Sequence, residues 1–235
     1  MPDPMVTAGI TIARVVLQRT APTGIALIRS WLRGKTILVV GPGHSGKSTF
    51  VRYLQYGIFQ HEEPYEKTYQ PVSGPRFNLR LGVDRSLEVL VKKAWDAPAQ
   101  YADPANLVAD ARPHALLVVV DLSMPLDKDG DNRSTAPWLE EFASRLDDRF
   151  RDIKRSSNRL TSIIVVMNKA DLVDDTTRER HTQRYREILR RHFQAARGRN
   201  MKAPVRIKPC ISVENPEGTK FIDAILVDLA QDLTS

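Results

Sequence analysis

From residue 35 onward, short apolar runs alternate with longer stretches in which apolar residues recur every three or four positions. The run 35–40 (KTILVV) is almost continuously apolar, the pattern of a strand covered on both faces. Residues 115–120 and 162–167 repeat it, and 205–211 supplies a fourth. Residues 77–81 and 87–95 read as a hairpin turning through 82–86. Leu87, Val89 and Val91 alternate with polar neighbours there, so one face of that strand is less deeply covered. Helical spacing predicts helices over 47–56, 137–155, 176–196 and 218–233. The second has Pro137 in its first turn and Leu139, Phe142, Leu146 and Phe150 along one face. The last carries Phe221, Ile222, Ile225, Leu226 and Leu229. This order predicts an α/β fold of three layers. Its mostly parallel six-stranded sheet has one antiparallel strand and helices on both faces, with right-handed crossovers. Ligands of such sheets bind at the carboxyl ends of the strands.

The segment before this alternation is of another kind. Between Val6 and Leu32 apolar residues dominate, but Arg14, Arg19 and Arg29 interrupt them. A spanning helix needs about 20 apolar residues in succession, and an apolar run that continues into arginines lacks a signal-peptide cleavage pattern. Pro22 and Gly24 split the segment into pieces at 10–17 and 25–32. The expectation is a helical extension over 1–33 and a second unit over 34–235. The extension either packs on that unit or makes a peripheral contact, through residues 5–33, with a membrane or a partner. Pro2 excludes a myristoylation motif, and the last four residues hold no prenylation cysteine.

Composition narrows the class. The chain has 235 residues, 42% of them hydrophobic and 27% charged, enough for a folded core and ordinary for a soluble protein. A single cysteine, Cys210, excludes an intrachain disulfide and suits a reducing cytoplasm. It is expected on an inner strand as a small apolar residue. The formal net charge is +7, with Arg184, Arg186, Arg190 and Arg191 in one helical stretch. The expectation is a solvated helix face, docking to an acidic partner being the alternative. No zinc-ligand spacing or RNA-binding signature accompanies it, so no nucleic-acid partner is expected.

Residues 41–48 read Gly-Pro-Gly-His-Ser-Gly-Lys-Ser, a complete match to G-x-x-x-x-G-K-[ST] between a buried strand and a helix. Chance supplies this pattern in roughly one chain of this length in a hundred. Gly41 and Gly46 let the backbone wrap an anion and turn successive N–H groups inward, and the following helix adds its positive end. Gly43 leaves room beside a terminal phosphate, and His44, Ser45 and Thr49 complete the cradle. Lys47 can reach β- and γ-phosphates as a point charge, and Ser48 can place its hydroxyl on Mg²⁺.

A phosphate cradle does not choose a base. Asn168-Lys169-Ala170-Asp171, directly after the strand SIIVVM, resembles the N-K-x-D element of the Ras-like small GTPase superfamily. The resemblance covers about residues 35–233 and implies a P-loop NTPase fold binding GTP or GDP with Mg²⁺. It implies that Asp171 accepts hydrogen bonds from the guanine N1–H and amino group, which adenine lacks at that edge. Asn168 would hold the loop and the base, and the Lys169 stem would cover the ring face. Ser212-Val213-Glu214 stands where the family has Ser-Ala-Lys, so Ser212 carries over as a support, with a backbone N–H from Val213. Trp95-Asp96-Ala97-Pro98-Ala99-Gln100 resembles the D-x-x-G-Q switch. Asp96 would bind Mg²⁺ through water, Ala99 would offer its N–H to the γ-phosphate, and Gln100 would orient the attacking water. Alanine replaces glycine at 99 and does not easily adopt positive φ, so binding is better supported than switching. Glu66-Lys67-Thr68-Tyr69-Gln70-Pro71 resembles the effector segment, with Thr68, chosen over Ser73, closing on Mg²⁺. The Asp-x-Pro form and the apolar extension also resemble the Arf and signal-recognition-particle-receptor β branch.

The resemblance implies a GTPase acting as a molecular switch, with Lys47 and Gln100 its catalytic residues and an effector or regulatory protein as partner. Two other readings stay open: a GTP-loaded scaffold that does not hydrolyse, and a P-loop ATPase or kinase. Asp127, Asp129 and Asp131 do not make a calcium loop, because Gly130 falls two places early and no glutamate follows at the twelfth position.

Overall fold

The computed structural model describes residues 35–56, 72–73, 77–81, 85–96, 104–127, 134–152, 159–197, 203–211 and 216–234. In chain order these form β1 (Lys35–Val40), α1 (Lys47–Tyr56), β2 (Val72–Ser73), β3 (Phe77–Leu81), β4 (Arg85–Asp96), α2 (Pro104–Ala111) and β5 (Ala115–Asp121). There follow α3 (Thr135–Asp152), β6 (Ser162–Asn168), a 3₁₀ turn at Ala170–Leu172, α4 (Asp175–Arg197), β7 (Val205–Pro209) and α5 (Pro216–Thr234). The extension expected over residues 1–33 lies outside the described residues.

Four parallel pairings, β4–β1, β1–β5, β5–β6 and β6–β7, make the body of the sheet. The strand count corrects the expectation of six with one antiparallel: the sheet has seven strands, and both β2 and β3 run antiparallel to β4. Val72 pairs with Asp96, and Phe77, five residues later, pairs with Val91, five residues earlier on β4, so β2 and β3 share one edge of β4. A two-residue strand carries no periodicity, which is why the pattern showed only the longer piece.

Strand alternation divides the core into two layers. Leu38, Val40, Leu116, Val118 and Val120 face α2, α3 and α4, and pack with Leu107, Leu139, Leu146, Tyr185 and Ile188. Ile37, Val39, Leu117, Val119, Ile164 and Val166 face α1 and α5, and pack with Phe50, Leu54, Ile222, Ile225 and Leu229. Every residue of β5 and of β6 is buried, as continuous apolar strands in a two-sided sheet must be. The helix α2 was not foreseen: eight residues with three buried side chains, Ala105, Leu107 and Val108, are too few for a periodic stripe.

The long basic helix α4 buries His181, Thr182, Tyr185, Ile188 and Leu189 and turns its arginines outward. There Arg184 pairs with Asp127, Glu140 and Glu187, and Arg191 with Glu140. The face is solvated, as expected of it, and the structure adds these ion pairs. Under it, the Tyr185 hydroxyl donates to Thr135 Oγ1 at 2.6 Å and lies 3.0 Å from His181 Nδ1. Burial pushes the tyrosine well above its ordinary value and the histidine below its own. Among the described residues no helix is long and apolar enough to cross a membrane.

In the sheet order β4 and β5 flank β1, so successive crossovers leave β1 in opposite directions and open a crevice at its carboxyl end. The glycine-rich loop begins there, one residue after Val40.

Candidate functional site

The loop from Gly41 to Gly46 turns because three of its residues hold positive φ: Gly41 at 159°, His44 at 60° and Gly46 at 91°. Two of these positions admit no side chain. A Cβ on Gly41 would stand 2.1 Å from Val119 O, and one on Gly46 would stand 2.2 Å from Asn168 Nδ2. His44 occupies left-handed space at a cost of about 1–2 kcal/mol. Gly43 lies within the same turn, and Ser45 is wholly buried beneath it.

Lys47 opens α1, followed by Ser48 and Thr49 in its first turn. The Lys47 side chain is only 7% exposed, and its Nζ donates to Pro42 O at 2.8 Å. The ammonium thus bridges the two ends of the loop and lies against the cradle. The helix N-terminus beneath adds its partial positive charge to the same spot.

The segment after β6 is fastened by three consecutive residues to three different neighbours. Asn168 Nδ2 donates to Ser45 O in the glycine loop at 2.9 Å. Lys169 Nζ reaches Asp121 Oδ2 at the end of β5, 2.5 Å away. Ala170 N donates to Cys210 O beyond β7 at 3.1 Å, while Cys210 N donates to Met167 O. Lys169 itself is left-handed, with φ 60° and ψ 37°, which sharply turns the chain out of the strand. Asp171 follows on the 3₁₀ turn as an exposed residue, and Leu172 beside it is 63% exposed. Asp174 then caps α4: its Oδ1 accepts the Thr177 N–H at 2.6 Å, and this bond holds its carboxyl below the usual range.

These contacts bring most of the sequence-derived residues together. Gly41, Gly43, His44, Ser45, Gly46, Lys47, Ser48 and Thr49 form one loop and helix start, and Asn168 locks the 168–171 segment to it. Asp96 ends β4, whose register sets it beside Val39 of β1, at the same edge of the sheet. Thr68, Ala99, Gln100, Ser212 and Val213 lie outside the described residues. The last strand stops at Pro209 rather than at 211, yet Cys210 is buried and joined to its neighbours on both sides, as a small inner residue should be.

The donor set suits a hard cation. Ser48 offers a hydroxyl oxygen in the first turn of α1, and oxygen is the donor that hard cations take. Among the described residues no group of three or more His, Cys, Asp or Glu is placed to hold a metal ion. Two buried oxygens of the junction, Ser45 Oγ and Asn168 Oδ1, meet no hydrogen-bond partner among the described residues.

Asp121 was missed by sequence reasoning. It is fully buried at the end of β5, in register with Asn168, and accepts from Ser123 N and Ser123 Oγ as well as Lys169. An aspartate closing an apolar run belongs to no motif; only the strand pairing exposes its partner.

No protein-family model matches the chain, and no curated protein matches it. Among solved structures it is similar to a bacterial selenocysteine-specific elongation factor, EF-Sec, with 17% identity and a TM-score of 0.50. It is also similar to translation elongation factor SelB from Methanococcus maripaludis, solved with the GTP analogue GppNHp, with 20% identity and a TM-score of 0.50. The fold is shared. Each match covers 83% of this chain but only 28% and 32% of the respective factors, so the likeness is to a part of them. That common part is an α/β fold with a mostly parallel sheet and helices on both faces.

Proposed function

We propose that the chain binds a guanine nucleotide with Mg²⁺ and hydrolyses GTP to GDP and phosphate as a molecular switch of the small-GTPase kind. The observation that carries the reading is the 2.9 Å bond from Asn168 Nδ2 to Ser45 O. It ties the phosphate loop to the base-reading segment although 123 residues separate them. The fold shared with a factor solved with a GTP analogue supports the same reading.

The roles follow from position. Backbone N–H groups of the 41–46 loop and the α1 terminus surround the phosphates, and Lys47 exchanges the Pro42 carbonyl for phosphate oxygen. Ser48 and Asp96, with Thr68, would hold Mg²⁺, which supplies charge neutralisation at the phosphates. Asp171 accepts from the guanine edge, Lys169 lays its stem on the ring, Ser212 supports the guanine loop and Val213 offers a backbone N–H. Gln100 orients water and Ala99 offers an N–H to the γ-phosphate. Positioning and charge stabilisation make up the catalysis. A protein that reads the two nucleotide states is the implied partner, and residues 5–33 either pack on the domain or make a peripheral contact with a membrane or a partner.

One residue favours a second reading. Ala99 stands where the switch glycine is expected, which favours a GTP-loaded scaffold with little turnover. Chromatographic identification of the nucleotide on the purified protein, followed over time in Mg²⁺, separates the two. Conversion of loaded GTP to GDP upholds the switch, retained GTP upholds the scaffold, and failure to hold either nucleotide defeats both.

A further inference from the structure

Asp121 is the last residue of β5, and its side chain is 1% exposed. A carboxylate so placed is expensive unless it is paired and hydrogen-bonded. Three donors meet it. Ser123 N at 2.9 Å and Ser123 Oγ at 2.6 Å converge on Oδ1, which leaves Oδ2 turned to Lys169 Nζ at 2.5 Å. The strand ends carrying the pair are tied, because Leu122 N donates to Asn168 O at 3.0 Å. Lys169 is held left-handed at the same point.

We propose that Asp121 is a positioning residue of the base site. It draws the Lys169 ammonium to the end of β5, so that the lysine presents its four-carbon stem to the guanine ring as a fixed and charge-neutralised platform. The inference rests on the guanine-nucleotide reading above. An ammonium is a strongly hydrated point charge on a flexible stem. Without its counter-charge, Lys169 turns to water or to nucleotide phosphate, and the platform loses its order. Ser123 serves the same end one step removed: its two hydrogen bonds fix which carboxylate oxygen faces the lysine. The effect falls on how long the nucleotide stays bound rather than on the chemistry at the γ-phosphate.

The test is release of a fluorescent GDP from the full chain in Mg²⁺, with thermal unfolding measured beside it. Asp121→Asn keeps the size and an acceptor for Ser123 but removes the charge facing Lys169. It is expected to speed release about tenfold, equivalent to about 1.4 kcal/mol. Adding Lys169→Met, which keeps an unbranched apolar stem and discards the ammonium, is expected to recover at least about half of that change in logarithmic terms. If Asp121 only stabilises the fold, Asn lowers the midpoint while the two substitutions multiply in release, and the proposal is overturned. Release from Asp121→Asn at the wild-type rate overturns it as well. Should that variant fail to fold, Lys169→Met alone is compared with the double variant. The single leaves a buried carboxylate unpaired and is expected to release faster, and equal rates sink the idea. Wild type that binds no fluorescent GDP overturns the guanine reading itself, a distinguishable failure.

Discussion

Gly46→Ala tests the junction between phosphate loop and base segment at its tightest point. At this position φ is 91°, and a new Cβ would meet Asn168 Nδ2 at 2.2 Å. The left-handed backbone costs an alanine about 1–2 kcal/mol whether or not nucleotide is bound, so this part lowers thermal stability. The clash acts differently. Asn168 is 1% exposed and has no room to yield except by giving up its bond to Ser45 O. Losing that bond and leaving a buried amide unpaired costs about 1–3 kcal/mol and displaces the base segment. Expressed in affinity, this weakens guanine-nucleotide binding roughly 5- to 150-fold. Titration of fluorescent GDP against wild type, Gly46→Ala, Asn168→Ala and the double variant reads the effect. Because both substitutions break one contact, their costs should overlap rather than add. An unchanged dissociation constant in Gly46→Ala, or strict additivity with Asn168→Ala, would refute the reasoning.

Other consequences can be checked directly. His114 accepts the Thr36 N–H through Nδ1 at 3.0 Å, and burial, with Lys35 and Arg159 nearby, lowers it to about 4. Its folded value lies below its unfolded 6.5, so the stability tied to its neutral form is complete above about pH 6.5 and is lost as pH falls toward about 4. His114→Asn, which keeps an acceptor near the same place, should flatten that part of the melting-temperature profile; an unchanged slope would assign it to other groups. Tyr185→Phe removes the buried hydroxyl bonded to Thr135 and should destabilise the α3–α4 packing by about 1–3 kcal/mol in urea unfolding. A loss under about 0.5 kcal/mol would show the hydroxyl to be dispensable. Gln100→Leu should slow single-turnover GTP hydrolysis by at least about tenfold with little change in binding, and equal rates would favour the scaffold reading.

Much of the fold was legible because its strands are continuously apolar. The run 35–40 was bounded as β1 is, and Leu139, Phe142, Leu146 and Phe150 all proved to be buried on α3. What escaped notice was short or depended on distant partners. Val72–Ser73 is a strand only because β4 is beside it, and α2 spans barely two turns. The site divided in the same way. The glycine loop and the 168–171 segment carry their pattern in local spacing, and one hydrogen bond, from Asn168 Nδ2 to Ser45 O, joins them. Asp121 carries none until β5 and β6 align it with Asn168 and place Lys169, 48 residues farther on, against its carboxylate. The arginines of α4 show the converse: their density fitted a solvated face, with docking as the alternative, and only the fold reveals the acidic neighbours that pair with them.

The central claim is that this loop serves a guanine base, and the most direct measurement is competition for a bound fluorescent GDP by GTP, ATP and XTP. In wild type, GTP should displace the probe at concentrations at least about a hundredfold below ATP or XTP, because an unpaired polar group at the base edge discriminates strongly. In Asp171→Asn the order of GTP and XTP should reverse. ATP competing on equal terms with GTP, or an Asp171→Asn variant that leaves the preference where it was, would contradict the account.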